Sequence, residues 1–326
     1  MQIPNLMDVR EDIQRQVIGQ TNVINAVTAC AYKFLLKQFA TFDDPALETQ
    51  SPNLLIRGRS GTGKTYIVKL ACQALGIQYV EINSKSISQE GWHGTSFPDL
   101  IEDGLKSIEN PNAPTMIVLD EFDKIIMPLA SSKTESLHHV IQQSLLKYIE
   151  GHSILINKKA FNTKNFCFIF VGAFYDLMPE EKPLIGFDQG TYGTKDIEIA
   201  DALIEYGMLP ELAGRITSFV ETDAFTTEMF MQLIKSDCFS YNKWVSIFSK
   251  INIDLLKPDN LQEICDEAVR KKLGARGLSQ ILDKELSKQI EANASNFNLQ
   301  EYYDQLHNRH FLRTIEALGS GSEENL

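Results

Sequence analysis

No CxxC pair occurs in the sequence; its five cysteines, Cys30, Cys72, Cys167, Cys238 and Cys265, are scattered along the chain. That spacing argues against a zinc ribbon or a dithiol redox centre and for buried, reduced thiols. Reduced thiols fit a reducing compartment, so a cytoplasmic location is expected. No apolar stretch is long enough to span a bilayer, and the N-terminus lacks a basic start followed by an apolar run, so no secretory signal is visible. Basic charge is in short supply. Against 43 Asp and Glu stand 31 Lys and Arg, a formal net charge of −12. A chain so acidic repels a phosphate backbone, and its longest basic clusters, Lys158–Lys159 and Arg270–Lys272, are short. Charge and hydropathy therefore argue against nucleic acid and membrane as partners. Internal repeats and low-complexity tracts are absent as well.

What is present suits a globular protein. The chain has 326 residues, 43% of them hydrophobic, enough for one large domain and a smaller one. Short apolar runs at Asn53–Arg57, Gln78–Ile82, Thr115–Asp120 and Phe166–Val171 read as strands, and a further short strand is expected at Ser218–Glu221. All but the second are nearly continuous, as in strands covered on both faces. Helical patterns at Lys64–Leu75, Phe97–Glu109 and Glu135–Glu150 lie between them. Strands alternating with helices indicate an α/β fold with a mainly parallel sheet. After residue 223 the pattern turns all-helical, over Thr226–Ser249, Asn260–Lys272, Gly277–Ala292 and Leu299–Leu318. The expected organisation is a lead-in over 1–16, a large α/β domain over 17–223, a small helical domain over 224–318 and a polar tail over 319–326.

Two motifs carry chemistry. Gly58-Arg59-Ser60-Gly61-Thr62-Gly63-Lys64-Thr65 matches GxxxxGK[ST] in full, after a strand and at the start of a helix. Glycines let the backbone curl so that its N–H groups point at phosphate, and the helix N-terminus adds partial positive charge. Lys64 then serves the outer phosphates, and the Thr65 hydroxyl a magnesium ion. A glycine-rich turn at a helix start would leave the adjacent Lys and Thr unexplained. The second motif, Thr115–Glu121 (TMIVLDE), is an apolar strand ending in two carboxylates. Asp120 is placed to hold magnesium and Glu121 to polarise the attacking water as general base. Paired acids at a strand end are otherwise a solvated loop start. The phosphate loop upstream decides for the functional reading. ATP and magnesium are the cofactors these motifs imply.

The bland reading wins elsewhere. His138 and His139 are adjacent on a helix and point different ways, so ordinary exposed histidines are expected. Trp244 falls in an apolar helical pattern and is expected in the core. Trp92 stands between glycines in a loop and suits a gripping role.

In this order the motifs resemble the ClpX family of AAA+ ATPases, the unfoldase subunits of Clp proteases, over roughly Val17 to Ala292. Val17-Ile18-Gly19-Gln20 resembles the family's VIGQ segment, whose apolar residues lie against adenine. Gly91-Trp92-His93-Gly94 stands where the family carries the GYVG pore loop that grips substrate. Gln142–Gly151 (QQSLLKYIEG) resembles QQALLKLIEG, and Gly172-Ala173-Phe174 resembles GGAF at the sensor strand end. Tyr206–Arg215 (YGMLPELAGR) is similar to FGLIPEFIGR, which makes Arg215 the candidate arginine finger toward a neighbouring subunit. Gly274–Leu278 (GARGL) is identical to the sensor-2 motif, which makes Arg276 the candidate in-chain nucleotide sensor. Ile185-Gly186-Phe187 matches the IGF tripeptide that docks the family on the ClpP peptidase.

The resemblance implies an ATP-dependent unfoldase that threads polypeptide through the pore of a homo-oligomeric ring, a hexamer, with a ClpP-type peptidase as partner. Departures mark the chain as divergent. The family's N-terminal zinc-binding domain has no counterpart, the pore loop has Trp92 and His93 in place of Tyr and Val, and Ser131–Ile141 lacks the family's arginine-bearing TRDVSGEG stretch. The Ile154–Asn165 loop and the region around Ile185 are shortened. The related HslU family fits less well, because it inserts a long domain after the carboxylate strand. Readings from other classes are an AAA+ ATPase that remodels or loads nucleic-acid complexes, opposed by the acidic balance, and an inactive nucleotide-binding scaffold, opposed by Lys64, Asp120 and Glu121.

Overall fold

The computed structural model describes residues 3–84, 96–127, 132–175, 177, 194–236, 239–249, 261–292 and positions 300, 303, 304 and 307. The chain divides into two compact units, Met1–Phe225 and Thr226–Leu326.

The first unit is built on a five-stranded, wholly parallel sheet. Its strands are β1 (Leu54–Arg57), β2 (Gln78–Asn83), β3 (Thr115–Asp120), β6 (Phe166–Gly172) and β7 (Ser218–Glu221), in the order β2-β3-β6-β1-β7. Burial explains the sequence pattern. Every residue of β6 is buried, and so are all of β3 but Asp120, because these strands are covered on both faces. Alternation along them feeds two cores. Ile117, Leu119, Phe168 and Phe170 face one layer, with α4 (Phe97–Leu105) and α5 (Ser132–Glu150). Met116, Val118, Cys167, Ile169 and Val171 face the other, with α2 (Thr21–Asp43) and α3 (Lys64–Leu75).

Local signals set several helix ends. Gly63, at φ 90°, precedes α3, and Gly76, at φ 66°, ends it by donating its N–H to the Cys72 carbonyl. Ser96 and Asp99 form a capping box at the start of α4, which stops at Leu105 instead of running to residue 109.

Several expectations need correction. The lead-in contains α1 (Leu6–Gln16), which buries Val9 and Ile13 in the second core beside α2. Most of the stretch Ile154–Asn165, expected as a loop, belongs to an antiparallel hairpin of β4 (Ser153–Ile156) and β5 (Lys159–Asn162), which turns through Asn157 and Lys158 at positive φ. His138 is buried, not exposed, and it hydrogen-bonds the Met127 main chain; burial pushes its imidazole below the usual histidine range. Its neighbour His139 is exposed, since adjacent helix positions diverge.

The second unit is helical in its described residues: α8 (Thr227–Lys235), α9 (Ser240–Ser249), α10 (Leu261–Arg270) and α11 (Ala275–Ala292), where α6 (Thr194–Glu205) and the short α7 (Pro210–Ala213) close the helices of the first unit. The single helix expected over Thr226–Ser249 is two helices, because Ser236 leaves the helical region at φ −75°, ψ 138°. Trp244 is 44% exposed, against the expectation of a core residue; Tyr241 and Phe248 of the same helix fill the interior instead. The expected helix over 299–318 lies almost wholly outside the described residues. Cys30, Cys72, Cys167 and Cys265 are buried free thiols, and burial raises the pKa of Cys72, Cys167 and Cys265. Cys238 lies outside the described residues. Among the described residues no helix is long and apolar enough to cross a membrane.

Candidate functional site

The carboxyl ends of β1, β6 and β3 lie side by side in the sheet, and each delivers one part of the site. β1 ends at Arg57 and leads into the loop Gly58–Gly63. Gly58 docks this loop on β6, its N–H donating to the Gly172 carbonyl at 3.1 Å. A Cβ at Gly58 would come within 1.8 Å of Thr222 Oγ1, so nothing larger fits there. Gly61 and Gly63 take φ of 81° and 90°, left-handed values that keep the loop curled around its inner face. The Thr62 hydroxyl closes the curl on the Arg59 carbonyl at 2.8 Å.

Lys64, buried at the start of α3, folds back over the loop. Its Nζ donates to the carbonyls of Gly58 at 2.6 Å and Arg59 at 2.8 Å. The ammonium is thus parked above the space that the loop's N–H groups surround, and it can shift to phosphate oxygens by exchanging carbonyl partners for anionic ones. Thr65 follows on the first turn, with its Oγ1 3.3 Å from Asp120 Oδ2. A hydroxyl and a carboxylate from two elements converge there on one point. Asp120 Oδ1 accepts from the N–H of Glu121 at 2.9 Å. Glu121 sits at φ 54°, a left-handed conformation unusual for a non-glycine residue, which turns its side chain off the strand line. Backbone strain of this kind clusters at active sites.

Among the described residues there is no cluster of three or more His, Cys, Asp or Glu to hold a metal. Magnesium at a nucleotide does not need one. It takes one or two protein oxygens, phosphate oxygens and water, and the Thr65–Asp120 pair fits that donor set.

The remaining candidates lie elsewhere. Val17 is buried and Ile18 half-buried at the end of α1. Gly19 and Gln20 then reverse the chain at φ 70° and 61°, and the buried Gln20 side chain clamps the Asp223 main chain through Nε2 to the carbonyl at 2.8 Å and the N–H to Oε1 at 2.9 Å. Arg215 is at the other end of the sheet. Its carbonyl accepts from Asn53, the residue before β1, and Thr217 and Ser218 donate to the Asn53 carbonyl. Arg276 is exposed on the first turn of α11 in the second unit. Gly91, Trp92, His93 and Gly94, and Ile185, Gly186 and Phe187, lie outside the described residues.

Residues 54–185 match the family model described as "ATPase family associated with various cellular activities (AAA)". Similarity over nearly the whole chain is to proteins named ATP-dependent Clp protease ATP-binding subunit ClpX. The match from Borrelia duttonii is 26% identical, over 86% of this chain and 73% of that one. That from Treponema denticola is 26% identical over 86% and 75%, and that from Azotobacter vinelandii 26% over 87% and 73%. The chain thus carries an AAA ATPase segment and is similar to ClpX, at modest identity, along most of its length. As such it binds nucleotide and hydrolyses ATP. The parallel sheet with the phosphate loop at its carboxyl edge is the expected α/β fold.

Polar residues that organise this ATPase escaped the sequence reading. Gln142 (2% exposed) holds Gly207 and Leu209 to α5, and Asn53 (0% exposed) welds β1 to β6 and to Arg215. Their partners are 65 or more residues away in sequence, and no local pattern reports such contacts.

Proposed function

We propose that this ClpX-like ATPase is a protein unfoldase working as a homo-oligomeric ring, by family likeness a hexamer, which uses ATP to draw polypeptide through its centre. One observation carries the reading. The phosphate loop leaves the carboxyl end of β1 and Arg215 is tied to the amino end of the same strand. Four residues at about 3.3 Å each put about 13 Å of strand between them. An arginine so placed is poor for its own subunit's γ-phosphate and well placed for that of a second copy, so a complete site requires at least two chains.

Within each site, Gly58, Ser60, Gly61, Thr62 and Gly63 would cradle the phosphates, Lys64 would balance their charge, and Val17 and Ile18 would lie against the base. Thr65 and Asp120 would hold magnesium, whose chemistry is to neutralise charge on the phosphate oxygens. Glu121 would accept the proton of the attacking water, and Arg215 of the adjacent chain would stabilise the charge that develops. Arg276 would sense nucleotide from the second unit. Trp92, with Gly91, His93 and Gly94, would grip substrate, because an aromatic face needs no specific partner. Ile185-Gly186-Phe187 would dock a ClpP-type peptidase through many weak contacts in parallel. The relatives' name, an ATP-binding subunit of the Clp protease, supports the last step.

Mixing experiments test the shared site. Arg215→Ala and Lys64→Ala are each expected to abolish turnover alone, and mixed rings to recover part of it. A monomer in saturating ATP, with a turnover rate per chain independent of concentration, overturns the ring. Trp92→Ala should keep ATP hydrolysis and lose unfolding of a tagged fluorescent protein. An ATPase rate stimulated by DNA and indifferent to unfolded protein would replace the unfoldase reading with a nucleic-acid remodeller.

A further inference from the structure

The Arg215 guanidinium is gripped at both prongs of its fork. Its Nη2 donates to Glu150 Oε1 at 2.7 Å and its Nη1 to Gln50 Oε1 at 3.3 Å. Glu150 is the last residue of α5, and Gln50 precedes β1, so two separate elements supply the two acceptors. The Arg215 carbonyl is held as well, by Gln50 Nε2 at 3.2 Å and Asn53 Nδ2 at 3.0 Å. Upstream, Gln142 of the same α5 fixes the main chain at Gly207 and Leu209. This is more fastening than a surface arginine needs for stability. The Arg215 and Glu150 side chains are 37% and 52% exposed, and ion pairs at such exposure contribute little to folding. A guanidinium has five N–H donors. Two are used here, so among the described residues three stay available to an incoming oxygen.

We propose that Glu150 and Gln50 are positioning residues for the arginine finger. They fix the plane of the Arg215 fork at the amino end of the sheet, so that its remaining N–H groups meet the γ-phosphate of the adjacent copy already oriented. The inference rests on the reading of Arg215 as a residue acting across the ring. A long, flexible side chain loses rotamer freedom when it engages, and a clamp formed beforehand takes that loss out of the chemical step. The choice of acceptors matters. One carboxylate oxygen and one amide oxygen hold the fork through one N–H of each Nη.

The test uses the full chain under ATP-bound conditions, with assembly followed by sedimentation and turnover by phosphate release. Glu150→Ala and Gln50→Ala should each lower kcat about 5- to 20-fold while KM for ATP moves less than about twofold, since orientation is lost and nucleotide binding is not. Glu150→Gln should recover most of the rate, because its amide oxygen still accepts from Nη2. Arg215→Ala should lose more, and the double variant Arg215→Ala/Glu150→Ala should be no slower than Arg215→Ala alone. Unchanged kcat in both clamp variants, with Arg215→Ala inactive, overturns the clamp and leaves the finger standing. A raised kcat in Glu150→Ala also overturns it, since the carboxylate would then be a restraint. Should Arg215→Ala itself keep full turnover, the shared-site reading falls and the clamp with it.

Discussion

Asn53 is where fold and site are most tightly joined, and replacing it by alanine gives a calculable result. Its side chain is fully buried and makes two hydrogen bonds, accepting from the Phe168 N–H at 3.0 Å and donating to the Arg215 carbonyl at 3.0 Å. Asn53→Ala strands the first group with no replacement. The Arg215 carbonyl keeps Gln50 Nε2 as a partner, so its loss is partial. One buried orphan costs about 1–3 kcal/mol, so with the second, part-compensated loss the total is about 2–4 kcal/mol. A typical domain has only about 5–15 kcal/mol in all. Asn53→Asp should not rescue. One carboxylate oxygen can keep the Phe168 N–H, but the other faces the Arg215 carbonyl with no proton to share, and burying the charge adds its own penalty. The assay is amide hydrogen exchange read by mass spectrometry on peptides covering Phe166–Gly172 of the full chain. A loss of 2 kcal/mol corresponds to exchange about 30-fold faster in β6 if β6 opens with its unit. ATP turnover should fall together with it, because Arg215 loses an anchor. Exchange in β6 that matches the wild type, with a fold equally resistant to urea, would refute the weld and the magnitude drawn from it.

Three further outcomes follow from the same geometry. Glu121→Gln should bind ATP as well as the wild type and lose about 100- to 10,000-fold in turnover, since only proton acceptance is removed; equal turnover in single-turnover assays would remove Glu121 from the chemistry. Gly58→Val should abolish binding of a fluorescent ATP analogue, because its first added carbon already falls within 1.8 Å of Thr222 Oγ1; binding within a fewfold of wild type would mean that the loop can move off β7. Burial lowers the His138 pKa, so between its folded value and the unfolded value near 6.5 the unfolded chain binds more protons. Stability should be full above pH 6.5 and decline as pH falls below it, and His138→Gln should flatten that slope in urea titrations at pH 5 to 7; an unchanged slope would show that the imidazole does not report it.

The central strands were legible because covered strands must be apolar throughout, and β3 and β6 are. The glycine-rich loop at Gly58–Thr65 and the Asp120–Glu121 pair stood out because the chemistry proposed for them demands particular residues at particular spacings. Where the reading failed, some causes were local and others lay in long-range packing. The turn of the β4–β5 hairpin is Asn157-Lys158, with Lys at φ 65° where glycine is the usual signal, so the pair of strands went unseen. Helix α2 was legible in principle: Val23, Ile24, Val27, Ala31, Phe34 and Leu35 recur at helical spacing and are buried. His138 and Trp244 were each assigned the burial typical of their residue type and pattern, and each has the opposite one because tertiary packing decides it. Glu150, Gln50 and Asn53 look like ordinary polar residues until the fold brings them to Arg215.

Taken together, the polar contacts make the sheet a spacer with a fixed cluster of side chains at either end. At the carboxyl end, Gly58 is bonded to Gly172, Thr65 to Asp120 and Asp120 to the Glu121 main chain. At the amino end, Asn53, Gln50 and Glu150 fix Arg215. Between the two ends run β3 and β6, apolar and covered on both faces, with β6 paired in parallel to β1 and β3. Gln20 adds a third fixed point, for it ties the Val17–Gly19 segment to Asp223, two residues before the first unit ends. A rigid body of this kind cannot bring Arg215 to its own phosphate loop by bending. In the ring proposed here that rigidity is useful, because any change at the phosphate loop of one copy must then be met by movement of the next copy as a whole.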